Sequence, residues 1–151
     1  MHSPSTLARH TAGWQSVLDL YDCAVAWLDD LPWVRMTLLR AAQIAQATIV
    51  TDSFHKFAPQ GISGVVVIAE SHIAIHTWPE RSYAAVDVFT CNSAVHVQAA
   101  VDFLIGAFRS ANPHLASFTR GDHRLIPVTA APMAQGSRAS VVDFERRSLL
   151  R

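Results

Sequence analysis

The sequence predicts an α+β domain: a mainly antiparallel sheet forming one layer, with two helices packed on one of its faces. Three observations carry this expectation. Short apolar runs rich in β-branched residues follow one another between Val65 and Phe89, which is the signature of strands rather than helices. Two other stretches, one built on Val34, Leu38, Ala41 and Ala45 and one on Val97, Val101, Leu104 and Phe108, repeat apolar residues at helical spacing. The resulting order of strand, helix, several strands, helix and strand suits helices gathered on one side of a sheet.

Taken in chain order, Val17-Leu18-Asp19-Leu20-Tyr21 alternates as a first strand. Asp29 or Asp30 offers an N-cap, with Pro32 near the first helical position, and the helix it opens extends to about Ala47. Thr48-Ile49-Val50-Thr51 reads as a second strand leading into Phe54-His55-Lys56-Phe57, and Pro59-Gln60-Gly61 marks a turn. The runs Val65–Ile68, Ile73–Ile75 and Ala84–Phe89 are the middle strands. Asn92 or Ser93 can cap the second helix, and a last strand is expected over about Leu115–Thr119. The middle strands read as apolar on both faces, so a second copy of the chain is expected to cover the open one, giving a four-layer αββα homodimer. Residues 1–126 are expected to form the domain, and 127–151, where the composition shifts to Ala, Pro, Gly and Ser, a flexible C-terminal appendage.

Composition narrows the function. At 151 residues and half hydrophobic, the chain is one domain with enough apolar surface for a core. Twelve basic side chains balance twelve acidic ones, so no overall field draws it to nucleic acid or to anionic lipid. No apolar run approaches the ~20 residues of a membrane span, and Met1–Thr6 lacks the apolar stretch of a secretory signal. Cys23 and Cys91 make neither a disulfide framework nor a zinc set, which fits a cytoplasmic protein with reduced thiols.

The chemistry concentrates in Glu70-Ser71-His72-Ile73-Ala74-Ile75-His76-Thr77-Trp78-Pro79-Glu80. Two apolar strands meet at Glu70-Ser71 with almost no turn between them. On a strand, His72, Ala74, His76 and Trp78 share one face, and the two histidines lie roughly 13 Å apart, too far for one metal ion. On a helix the same pair would meet at a zinc, but the β-branched surroundings argue for a strand, and no metal is expected.

This block, together with Phe54–Gly64, Tyr83–Cys91 and the upstream Leu18–Cys23, resembles the small bacterial and archaeal S-adenosylmethionine decarboxylases. The resemblance covers most of residues 7–120. It implies a proenzyme that cuts itself between Glu70 and Ser71 into chains 1–70 and 71–151. Ser71 would attack the Glu70 carbonyl, exchanging amide for ester, and elimination would leave a pyruvoyl group at position 71. That group would form a Schiff base with the substrate amine and take up the electron pair freed by loss of carbon dioxide, without pyridoxal phosphate.

The resemblance assigns His76 as the base in processing, Ser63 as a second processing serine, and Cys91 as the proton donor to the product carbon. It also implies Phe57 and Trp78 as aromatic faces for adenine and sulfonium, and Glu80 as acceptor for the ribose hydroxyls. The plainer readings of these residues are a turn serine, a core histidine, a buried thiol and core aromatics, and Cys23 takes the structural reading. The implied product is decarboxylated S-adenosylmethionine for spermidine synthesis. A pyruvoyl decarboxylase of arginine or ornithine, and an unprocessed non-catalytic paralogue, are the alternatives. The sequence departs from the family's usual pattern at Ala69, Arg81-Ser82 and Asn92, and Arg81 and Asn92 flank the implied pocket.

Overall fold

A computed structural model describes residues 13–91, 94–121 and 126–128. Among them seven strands form one sheet: β1 (Gly13–Tyr21), β2 (Ile49–Lys56), β3 (Ile62–Ile68), β4 (Ser71–Trp78), β5 (Tyr83–Thr90), β6 (Asn112–Arg120) and β7 (Ile126–Val128). Their spatial order is β2-β3-β4-β5-β1-β6-β7, and every pairing is antiparallel. Helices α1 (Val25–Leu28), α2 (Leu31–Ile44) and α3 (Ala94–Ala107) complete the fold, with a 3-10 turn at Pro79–Arg81. The expected α+β layering is therefore the observed one.

The helix signals act as the sequence suggests. Asp30 caps α2 by accepting the Trp33 N–H at 3.1 Å, satisfying one orphan donor of the first turn. The helix stops at Ile44, three residues before the expected Ala47, because Gln46 turns left-handed at φ 56 and Ala47 N–H closes on the Ala42 carbonyl at 3.0 Å. Val34, Leu38, Ala41 and Ala42 of α2 and Val97, Ala100, Val101 and Leu104 of α3 are buried. They pack on Leu18 and Leu20 of β1, Val66 and Ile68 of β3, Ile73 and Ile75 of β4, and Val86 and Val88 of β5, in one core. The two second-strand segments expected separately are one strand, β2, carrying a bulge between Ile49 and Thr51. β1 and β6 are both longer than expected, since β1 begins at Gly13 and β6 runs Asn112–Arg120. The expected cap at Asn92 or Ser93 lies outside the described residues. β7 pairs Pro127 with Phe118, so the sheet continues across the position where the appendage was expected to begin, and residues 129–151 lie outside the described residues.

The opposite face of the sheet corrects one expectation. The middle strands are not apolar on both sides. Away from the helices the registers line up Ser63, His76, Ala85, Asp19 and His114 in one row across β3-β4-β5-β1-β6. The next row is Val65, Ala74, Asp87, Val17 and Ala116, and the one beyond is Val67, His72, Phe89, Gln15 and Phe118. This face is an apolar band crossed by acids, histidines and a serine. Two-residue alternation along β4 and β5 puts an aliphatic residue toward the helices and mostly a functional one toward the open side.

Phe54 of β2 lies across Gly64 of β3, where a Cβ would overlap the phenyl ring. Gly64→Ala should therefore force that half-buried ring aside and cost about 1–3 kcal/mol. Urea unfolding would register this as a lower midpoint at unchanged slope, and an unshifted midpoint would mean that the ring has room to move.

Candidate active site

One group of side chains gathers where β3 turns into β4. Ala69 and Glu70 are the whole connection, since Ile68 already pairs with Ser71. Glu70 takes φ 69, a left-handed conformation that hairpins usually give to Gly or Asn. That geometry folds the Ser71 hydroxyl back onto the carbonyl of Glu70, to which it donates a hydrogen bond. Cys91, one residue past the end of the neighbouring β5, closes the group from the other side. Its N–H donates to Ser71 Oγ at 3.2 Å, and its thiol to the same Glu70 carbonyl at 3.4 Å. One carbonyl thus receives two donors, with a hydroxyl oxygen beside its carbon.

A second group sits toward the other end of β4, on the open face. Ser63 Oγ and His76 Nδ1 lie 2.7 Å apart across the β3–β4 pair. Next along β4, Trp78 stacks on Tyr83 at 5.2 Å between centroids, and Tyr83 on Tyr21 at 4.8 Å, with His114 edge-on to Tyr21 at 5.5 Å. The Tyr83 hydroxyl donates to Asp19 Oδ1 at 2.6 Å. Burial first, and then that bond, push the phenol well above the ordinary tyrosine range. Phe57 stands in the β2–β3 loop, 48% exposed, and Glu80 in the 3-10 turn accepts a hydrogen bond from Gln60 Nε2 at 3.1 Å.

The two groups do not meet within one chain. Ser63 pairs with His76, whereas Ile68 pairs with Ser71, five residues back along the same two strands. At about 3.3 Å per residue that is roughly 16 Å, several times the reach of a proton transfer. Ser71, Glu70 and Cys91 therefore form one cluster. Ser63, His76 and Trp78 form another, with Phe57 and Glu80 around the same end of the sheet. The sequence expectation gave all of them roles in one site without saying which subunit supplies each, and within one chain they fall into these two clusters. It also passed over Tyr83, Asp19 and Gln60, whose partners are set by pairings between distant strands. Only the aromatic content of Tyr21 and Tyr83 hinted at the stack.

Cys23 keeps the structural role expected of it. It is buried, its thiol donates to the Leu20 carbonyl at 3.3 Å, and burial raises its pKa to about 11. Among the described residues no three metal-ligating side chains converge, and no helix is long and apolar enough to cross a membrane.

Comparison with known proteins bears on what this arrangement is for. The family model described as S-adenosylmethionine decarboxylase matches residues 14–121. A protein of Pseudomonas paraeruginosa named S-adenosylmethionine decarboxylase proenzyme is 52% identical over 115 residues, covering 75% of this chain and 72% of its own. One of the same name from Acidithiobacillus ferrooxidans is 45% identical over 118 residues, 78% of this chain and 89% of that one. The crystal structure of the adenosylmethionine decarboxylase of Aquifex aeolicus superposes with a TM-score of 0.70 at 33% identity, over 74% of this chain and 92% of that one.

The exposure of the two thiols differs enough to read out directly, Cys91 being exposed and Cys23 buried. A disulfide-exchange reagent at pH 8 should label Cys91 in the native protein within minutes and Cys23 only after unfolding. Rapid labelling of both thiols in the folded state would contradict the burial of Cys23.

Proposed function

This chain belongs to the S-adenosylmethionine decarboxylase family, and on that premise we propose that it is a self-processing decarboxylase of S-adenosylmethionine. The observation that carries the reading is the Glu70 carbonyl, held between the hydroxyl of Ser71 and the thiol of Cys91 at a left-handed turn. A hydroxyl oxygen placed beside the preceding carbonyl carbon is the ground state of an acyl shift. The Ser71 Oγ–carbonyl bond forms, the Glu70–Ser71 amide bond breaks, and the chain is joined by an ester. Removal of the Ser71 α-proton then expels the Glu70 carboxylate, and water replaces the nitrogen left on residue 71, releasing ammonia. Proximity of this kind accounts for a large part of such a barrier, and the turn that Glu70 adopts is relieved by the cut.

The residues fit the pyruvoyl group that this sequence of steps leaves at position 71, and no metal is required by it. That group supplies an electron sink for loss of carbon dioxide. Cys91, already within hydrogen-bond distance of Ser71 Oγ through its N–H, is positioned to deliver a proton beside position 71. Phe57 and Trp78 offer aromatic faces to a flat base or a sulfonium, and Glu80 offers acceptors to a ribose. Their joint presence supports S-adenosylmethionine over arginine or ornithine. The product would be the aminopropyl donor used in spermidine synthesis.

The separation of roughly 16 Å between Ser71 and His76 makes the second copy part of the reading. A homodimer with open faces together lets Ser63 and His76 of one protomer serve Ser71 of its partner. The His76 imidazole removes the α-proton there as the general base, with Ser63 bonded to it.

Three measurements test this. The purified protein should give two masses, residues 1–70 and a pyruvoyl-blocked chain from position 71, while Ser71→Ala stays whole; a Ser71→Ala protein that still splits there would refute the serine chemistry. His76→Ala alone should also stay largely whole. Co-expressed with Ser71→Ala it should be cut, because each mixed dimer keeps one complete site, and failure of that rescue in a verified dimer would remove the shared site. Cys91→Ala should cleave itself yet release labelled carbon dioxide from S-adenosylmethionine about 10²–10⁴-fold more slowly. Parent-like turnover would return Cys91 to a structural role, and release from arginine or ornithine instead would change the substrate.

A further inference from the structure

The junction between α1 and α2 carries an aspartate that none of these roles uses. Asp29 follows directly on α1, and its carboxylate reaches the β2–β3 connection. Oδ1 accepts the Gly61 N–H at 2.9 Å, Oδ2 pairs with Lys56 Nζ at 2.8 Å, and the same ammonium donates to the Asp29 carbonyl at 2.7 Å. The bond to Lys56, and then that from Gly61, hold this carboxyl below the usual carboxylate range. Asp29 is thereby tied to both ends of the loop Phe57–Gly61, which is itself closed by Phe57 N–H donating to the Gly61 carbonyl at 2.8 Å. Gly61 leaves that loop at φ +100, where a Cβ would stand 3.0 Å from the Thr77 carbonyl. Beneath it, the buried Thr77 hydroxyl donates to the Leu28 carbonyl at 2.7 Å and accepts the Ile62 N–H at 2.8 Å. Residues 28 and 29 thus brace the start of β3 and the end of β4 together.

We propose that Asp29 is a positioning residue for the nucleoside end of the site, acting through the Phe57–Gly61 loop. The inference rests on the S-adenosylmethionine reading above. Phe57 is 48% exposed and, among the described residues, touches another ring only at His55, edge-on at 4.6 Å. A ring so exposed is placed by its backbone rather than by a core, and the backbone is placed by Asp29. Gln60, in the same loop, bonds Glu80, so the anchor sets the stacking face and the ribose acceptor in one relation before substrate arrives. Ordering a loop in advance removes that cost from binding. Asp29 makes no bond to Ser71 or Cys91, so its loss weakens substrate binding and leaves the chemical step alone.

The test compares Asp29→Ala, Asp29→Asn and the parent, each normalised to its content of cleaved chain. Asp29→Ala removes the Gly61 bond and the Lys56 ion pair, leaving only the Lys56 bond to the residue 29 carbonyl, and should raise KM for S-adenosylmethionine about tenfold at unchanged kcat. Asp29→Asn keeps an oxygen for the Gly61 N–H and should recover most of that loss. In a Phe57→Ala background Asp29→Ala should add little further, because the two changes act on one element. Should Asp29→Ala fail to fold, Asp29→Asn and Lys56→Gln, each of which breaks the ion pair and leaves the Gly61 bond, should each raise KM by a small, resolvable factor at unchanged kcat, and no rise in either overturns the inference. An active parent whose Asp29→Ala variant keeps its KM, or raises KM by a full further tenfold in the Phe57→Ala background, overturns this inference alone. A parent that releases no carbon dioxide from S-adenosylmethionine overturns the functional reading and this inference with it.

Discussion

The two-residue connection Ala69–Glu70 pairs Ile68 with Ser71, and every other pairing along β3 and β4 follows from it. Because side chains alternate with a period of two, a slip of one residue would send His72, His76 and Trp78 into the core and Ile73, Ile75 and Thr77 out of it. The hydrophobic core enforces the observed register, since Ile73 and Ile75 are fully buried beneath the helices. β5 inherits the same register through Ile73↔Val88 and Ile75↔Val86, and β1 through Leu18↔Val86. The turn that sets the sheet is also the turn that presses a hydroxyl onto a carbonyl. A left-handed Glu70 costs on the order of 1–2 kcal/mol, a small amount against the burial of two isoleucines at roughly 1.5–3 kcal/mol each. The fold can therefore hold Glu70 in this left-handed conformation, and nothing local to Glu70 has to stabilise it.

Much of this was legible in the sequence, and the reasons are local. Helix α2 announced itself through Asp30, Pro32 and the spacing of Val34, Leu38 and Ala41, all of which act within one element. The middle strands announced themselves by β-branched content. The C-terminal end of α2 was placed three residues too far because Gln46, and not glycine, adopts the left-handed cap. The Glu70–Ser71 junction was legible because both its residues and its lack of a turn lie in one short stretch. The grouping of the site residues was not legible. Which of Ser63, Ser71, His76 and Cys91 meet is decided by strand pairing, and positions 63 and 76 meet only because the loop at 69–70 is so short. Asp29 bonding Gly61 and Tyr83 bonding Asp19 are likewise contacts of the fold, 32 and 64 residues apart in the chain.

The open face shows why an expectation of uniform apolar strands was too simple. A sheet face meant only to be buried would carry aliphatic residues in every row. Here the row Val65, Ala74, Val17 and Ala116 is aliphatic apart from Asp87, and the rows on either side of it carry the serine, histidines and aromatics. Composition by segment averages over these rows, since each strand contributes one residue to each of them. Only the registers separate a band suited to burial from the flanks suited to chemistry.

That banding also constrains how two copies can share a site. Bringing His76 of one chain to Ser71 of another requires a rotation that exchanges the two ends of the strands. A two-fold axis parallel to the strands keeps each end over its own kind and leaves the gap open. A two-fold axis lying between the sheets and running across the strands, along the Ala74 row, reverses them. It sets the His76 row of one copy over the His72 row of the other, one residue from Ser71, and puts aliphatic row on aliphatic row at the centre. Packed sheets stand about 10 Å apart, so side chains from the two faces meet midway, whereas along one strand the same groups are roughly 16 Å apart. Under the proposed reading, the distance that disqualifies a single chain is therefore the distance that one symmetry operation removes. The aliphatic middle row supplies the surface on which that operation can rest.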